Sequence, residues 1–313
     1  MVRAFAVSVL LLVSCLAASA EPAAPQDQNA SAPAGTPGEM VDQFAKSFAT
    51  PTRLTGKIAR WESGICPLAV GQPPQFSSFV TTRVKDVAAR VGAPVNDMTT
   101  CKPNIEIVFT TTPQALLDNV RQHDSEFLGY AESSAQRDKL AMVTRPIQAW
   151  YTTETKDLHG MGTIDGARRR YVGTTLSCLT CSRCPFCTGL NAPTLDLPDT
   201  TSAVAGSNIT GGARSTFFHV IIVVDSNRLA GYQIGPLADY ITMLALAQLK
   251  SLDGCQQLPS IVNMLAAGCN QRATDMTDND LAFLRGLYKM SPDKNLVFQQ
   301  SEIADQMKET LGR

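Results

Sequence analysis

Four cysteines at three-residue intervals, Cys178, Cys181, Cys184 and Cys187, are the densest set of reactive side chains in this 313-residue chain. Thiolates so spaced can bind a metal, exchange disulfides or lock a loop covalently. A bacterial ferredoxin run shares the first three positions, but its fourth cysteine follows at a longer spacing that is not kept here. A four-thiolate zinc site separates its two C-x-x-C knuckles by many more residues than Ser182 and Arg183. Redox exchange needs a low-pKa thiolate, commonly at a helix N-terminus beside positive charge. Arg183 and the run Arg168, Arg169, Arg170 supply charge, while the surrounding Thr, Ser, Gly and Pro supply no helix. The plain expectation is two disulfides stapling the segment, with a thiol–disulfide redox protein as the alternative. Among the histidines, His219 opens an apolar run and His123 ends a polar helix, so both read as structural or solvated. His159, beside Gly160, is the freest to act. No nucleophile-elbow G-x-S-x-G, phosphate-cradling loop or dinucleotide fingerprint is present, and no cofactor is expected.

Composition bounds what these residues serve. The chain is 44% hydrophobic and 18% charged, enough for one or two globular domains with a real core. Aromatic content is 6%, and the 27 basic residues less Arg3 face 28 acidic ones, so the chain after residue 20 carries about −2. That balance argues against a nucleic-acid binder. Residues 1–20 read as a signal peptide: Arg3, an apolar run from Ala4 to Val13 too short to span a bilayer, and Ala18-Ser19-Ala20 before Glu21. The competing cut is a lipobox at Leu12-Val13-Ser14-Cys15, which would leave a lipid anchor on Cys15. The product is therefore periplasmic or secreted, alternatively a membrane-anchored lipoprotein, with no transmembrane anchor expected. Cys66, Cys101, Cys255 and Cys269 complete an even set of eight thiols, and Cys66–Cys101 and Cys255–Cys269 are the pairings expected outside the cluster.

Residues 21–48 read as a disordered tether rich in Ala, Pro and Gln, ending in an amphipathic turn with Met40, Phe44 and Phe48 four apart. The folded part, residues 49–313, is expected to open with a strand at 53–61. A helix follows at 76–91, then a strand at 105–109, a helix capped by Thr112 with Pro113 at its first position, and a strand at 146–153. Residues 156–216 lose periodicity and form a cysteine-rich insert. Residues 217–224 are apolar enough for a central strand, and 229–234 can return as a hairpin arm. Helices follow at 236–249, at 278–290 behind a capping box of Thr277 and Asp280, and at 301–311.

This order resembles the catalytic domain of zincin peptidases, and most closely the matrixin-type metzincins, whose helix carries H-E-x-x-H-A-L-G-L ahead of an S-I-M turn and a closing L-x-x-L-Y helix. The corresponding stretches here are 238–246 (Ala-Asp-Tyr-Ile-Thr-Met-Leu-Ala-Leu), 260–263 (Ser-Ile-Val-Asn) and 276–288, ending Leu284-Arg285-Gly286-Leu287-Tyr288. The resemblance implies an α+β, zincin-like fold, a mixed sheet with helices packed on it. It departs in chemistry, because positions 238 and 242 are Ala and Thr where two imidazoles would hold zinc, so no metal is expected. Asp239 stands where the family has its catalytic Glu, and at a helix N-terminal turn the dipole accounts for it. A similarity to exported proteins of Gram-negative bacteria implies a compartment and no activity. The resulting expectation is an exported, non-catalytic pseudo-peptidase that binds a protein or envelope ligand in a cleft formed by Asp239, Tyr240 and Thr242. A hydrolase using Asp239, Tyr240 or His159 is a further alternative.

Overall fold

The apolar stretch ahead of Asp225 forms the middle of the sheet. A computed structural model of the protein describes residues 35–98, 100–166, 169–171, 195–197, 212–250, 252–270 and 272–312. Strands β1 (Pro67–Val70), β2 (Ile105–Thr110), β3 (Ile147–Lys156), β4 (Gly162–Ile164) and β7 (Arg214–Asp225) make a mixed sheet in the order β1-β2-β7-β3-β4. A separate two-stranded ribbon pairs β5 (Arg169–Tyr171) with β6 (Leu195–Leu197). β1, β2 and β7 run parallel, whereas β3 is antiparallel to β7 and β4 to β3. Central β7 is buried along most of its length, as a strand covered on both faces must be.

Alternation along β2 sends Ile105, Ile107 and Phe109 to one face, in register with Val220, Ile222 and Val224 of β7. That face carries the larger core. Onto it pack α1 (Pro37–Phe48), α2 (Pro74–Val91), α5 (Ile234–Leu246), α6 (Asp278–Lys289) and α7 (Leu296–Leu311). The other face carries Ile221, Val223 and Trp150 under α3 (Pro113–His123), the 3-10 turn Ser125–Leu128 and the segment after α4 (Ser134–Leu140). The result is a three-layer α+β arrangement. No helix among the described residues is long and apolar enough to cross a membrane.

Three expectations are corrected. The end of the supposed tether is the helix α1: Thr36 and Glu39 form a capping box, and Val41, Phe44, Ala45 and Phe48 are buried. Phe44 and Phe48 pack edge-to-face against Phe283 of α6, so the four-residue spacing marks core rather than a loose turn. Residues 53–61 form no strand. Their polar groups are taken up one by one: Ile58 N donates to Gln299 Oε1 (2.8 Å), Trp61 Nε1 to the Ala245 carbonyl (2.8 Å), and Arg60 to the Tyr288 and Met290 carbonyls at the end of α6 (2.6 and 2.8 Å). The first strand is instead β1, whose start is held by the Cys66–Cys101 disulfide. Residues 229–234 turn into α5 without forming a hairpin arm.

Candidate functional site

The helix that the peptidase resemblance singles out is almost wholly internal. From Leu237 to Leu246 every residue of α5 is buried, because the helix is enclosed by the sheet and its neighbouring helices. Ala238 and Thr242 have no exposed surface, and the Thr242 hydroxyl donates to the Ala238 carbonyl at 2.7 Å. Tyr240 is also buried, which pushes its hydroxyl pKa up. Of the three residues expected to form a cleft, Asp239 borders a surface depression of about 300 Å³ shared with Phe79, Arg83, Asp86 and Asp275.

Within that depression Asp239 is already engaged. Arg83 of α2 grips it with Nε on Oδ1 and Nη2 on Oδ2 at 3.1 Å, and Met276 N donates to Oδ2 at 2.9 Å. Hydrogen bonding to Asp239 raises the Arg83 pKa. Asp239 is the sixth residue of α5, beyond the first turn where the dipole acts, so its partner is the guanidinium and not the helix terminus.

A neighbouring crevice is better built to receive a ligand. β1 hands the chain to α2 on one face, β2 hands it to α3 on the other, and β7 hands it to α5 on the first face again. α2 and α5, packed on the same face, leave a gap between them at the strands' carboxyl ends. Here the gap is a cavity of about 400 Å³. Phe109, Val224 and Leu229 form its floor, while Phe76 of α2 and Ile234 and Leu237 of α5 form its walls. Gln72, Ser226 and Tyr232 place polar groups at its edge. The turn below is firmly tied, with Ser226 N donating to the Thr110 carbonyl (2.9 Å) and Asp225 Oδ1 accepting from Asn227 N (3.0 Å). Gly71, at φ +84° after β1, lies so close to the Phe109 carbonyl that a Cβ would collide with it. Only the glycine lets the chain turn away there.

A larger depression of about 680 Å³ lies beside Arg60 and Arg214. Its charges serve one another: Arg60 bonds the carbonyls ending α6, while Arg214 and Lys156 share Glu62 at 2.9 and 3.2 Å.

His219 is 7% exposed, with Nε2 3.4 Å from Glu106 Oε1, the Phe127 ring tilted against its own with centroids 4.6 Å apart, and no partner for Nδ1 among the described residues. Burial lowers its pKa, Lys102 adds to this, and Glu106 opposes it. The folded state therefore favours neutral imidazole. Below the unfolded-state value of about 6.5, the unfolded chain binds the extra proton first. Stability contributed at this residue is complete above that pH and is lost as pH falls toward the lower folded-state value. Urea midpoints taken between pH 7.5 and 5 should show this decline, and His219→Phe should flatten it.

His159 is exposed, and its backbone N donates to Asp157 Oδ1 (2.8 Å). Cys66–Cys101 and Cys255–Cys269 are disulfides, as the cysteine arithmetic anticipated. Disulfides persist in oxidising compartments, which fits an exported protein. Cys178, Cys181, Cys184 and Cys187 lie outside the described residues, as do the leader and Cys15. The crevice was not anticipated from sequence, since its lining is drawn from segments between residues 72 and 237. The one available signal was the apolar β7 followed by a turn and an apolar helix. No family model, curated protein or solved structure matches the chain.

Proposed function

We propose that this chain is an exported, non-catalytic binding protein with a zincin-like scaffold, and that it seats an apolar group of its ligand in the crevice between α2 and α5. The crevice carries the reading: it is of ligand size, mostly apolar, and placed at the carboxyl ends of parallel strands. The zincin-like part is supported by the sequence of β7, α5, a disulfide-bracketed connection and α6. It is also supported by the Leu-Tyr end of α6, where Tyr288 donates to the Leu246 carbonyl at 2.8 Å. Ala238 and Thr242, buried at the positions of the metal-binding imidazoles, support a binding role over hydrolysis. Two disulfides and the amino-terminal pattern support export to the periplasm or beyond, with a lipid on Cys15 as the alternative form.

The apolar dye N-phenyl-1-naphthylamine tests the seat. The protein should bind one dye per chain, saturably, with a fluorescence increase. Ala230→Trp, which places an indole at the crevice lining, should abolish that signal while leaving the thermal transition in place. Non-saturable binding, or binding that ignores the tryptophan, would count against the crevice.

A further inference from the structure

Resting on the crevice reading, we infer that its ligand is an extended polypeptide segment of a partner protein, carrying an apolar side chain and, about three residues away, a lysine or arginine. The apolar crevice and the depression around Asp239 both lie between α2 and α5, lined by neighbouring residues of the two helices, and together are treated as one groove. Phe76 and Ile234 belong to the first, and Phe79, Gly235 and Asp239 to the second. Along α2, residues 76, 79, 83 and 86 follow one another at helical spacing and form a single stripe facing this groove.

The groove's two ends differ in chemistry. At the apolar end, the rim carries aromatic side chains left substantially open, Phe76 at 39% and Tyr232 at 41% exposed, and Phe79 (45%) follows on the same stripe at the second part. Aromatic groups around a pocket are typical anchors of protein recognition. At the other end, Arg83 and Asp239 neutralise each other, so the exposed Asp86 and Asp275 leave an excess of negative charge. Among the described residues, neither has a cation within ion-pair distance. Both instead act from a distance on Arg83, raising its pKa. A cationic side chain seated there would meet two carboxylates over a floor that is already neutral.

The separation of the two ends selects the occupant. At 1.5 Å rise per residue, the centres of the two parts lie roughly 10 Å apart along the helices, which an extended chain spans in about three residues. A peptide main chain thus lays an apolar side chain in the crevice and a basic one between Asp86 and Asp275. The apolar group supplies most of the affinity and the charge supplies orientation and partner choice.

The test selects random dodecapeptides displayed on phage against the immobilised full chain, then measures the affinity of individual synthetic peptides. Selected sequences should carry an aromatic or aliphatic residue with Lys or Arg two to four positions away. Their affinity should fall about tenfold or more in a D86K/D275K variant whose thermal midpoint is unchanged, and also with added salt. If the wild-type protein binds the dye but the selected peptides lack a basic residue, or bind the charge-reversed variant equally well, the peptide assignment fails and the crevice stands. If the wild-type protein binds neither dye nor peptide, the crevice itself fails. A concentration-dependent dimer abolished by Ala230→Trp would assign the groove to a second copy and overturn the partner.

Discussion

Asp280→Ala is expected to lower unfolding stability by about 3–5 kcal/mol, the sum of a lost cap and several orphaned buried donors. The carboxylate has no exposed surface and accepts from Ser260 Oγ, from Ile261 N (2.8 Å), and from Thr277 N and Oγ1 (both 2.9 Å). It therefore closes the capping box of α6 and at the same time holds the 3-10 turn Ile261–Met264, which lies within the disulfide-bracketed connection. Removing it frees the helix start from the 3-10 turn. Urea unfolding monitored by far-UV circular dichroism reads the loss directly. Asp280→Asn, which retains an acceptor oxygen but turns an N–H₂ toward the donors, should lose about half as much. If the alanine variant loses less than about 1 kcal/mol, Asp280 is not the hub its hydrogen bonds describe.

The second large effect concerns β1. Replacing both Cys66 and Cys101 with serine should destabilise the fold by about 4 kcal/mol, from the chain-entropy estimate for a closed loop of this length. The bridge spans 35 residues of sequence and encloses all of α2. It sits where β1 begins, next to Cys66 N donating to Asn104 Oδ1 (2.7 Å) and Asn104 N donating to the Cys66 carbonyl (3.1 Å). A four-residue edge strand has few ladder bonds of its own, so its place beside β2 depends on this clamp. α2 forms one wall of the groove, so the double variant should also weaken dye binding before global unfolding. Chemical denaturation with and without reductant separates the two readouts. A midpoint that the substitution does not move would show that packing alone holds β1.

What could be read in advance and what could not divide along a physical line. Thr277 and Asp280 announced a helix start because a capping box is complete within four residues of chain. Residues 217–224 announced a central strand because a sheet covered on both faces needs a continuous apolar run. The two disulfides are the pairings expected from an even thiol count in a chain whose amino-terminal pattern reads as an export signal, although the count alone leaves other pairings open. The misreadings came from the same local rules applied where distant partners decide. Residues 53–61 have strand-like composition, but Gln299, Ala245 and the end of α6 claim their hydrogen bonds. The sequence 37–48 follows a Pro- and Ala-rich stretch that masked its helix, and its stability comes from Phe283, more than 230 residues onward.

The same division governs the candidate site. By itself the sequence determined that positions 238 and 242 are Ala and Thr, that Asp239 lies on an apolar helix, and that four cysteines crowd residues 178–187. It therefore determined what a zinc-peptidase motif here would lack. Only the tertiary structure decided that Thr242 and Tyr240 point into the core while Asp239 meets Arg83, a residue 156 positions away. It alone placed Gln72, Phe109, Val224 and Leu237 around one cavity. The reason is topological. Parallel strands must be joined by crossovers, so the side chains gathered at their carboxyl ends come from separate segments, and no local pattern of residue types records that they meet.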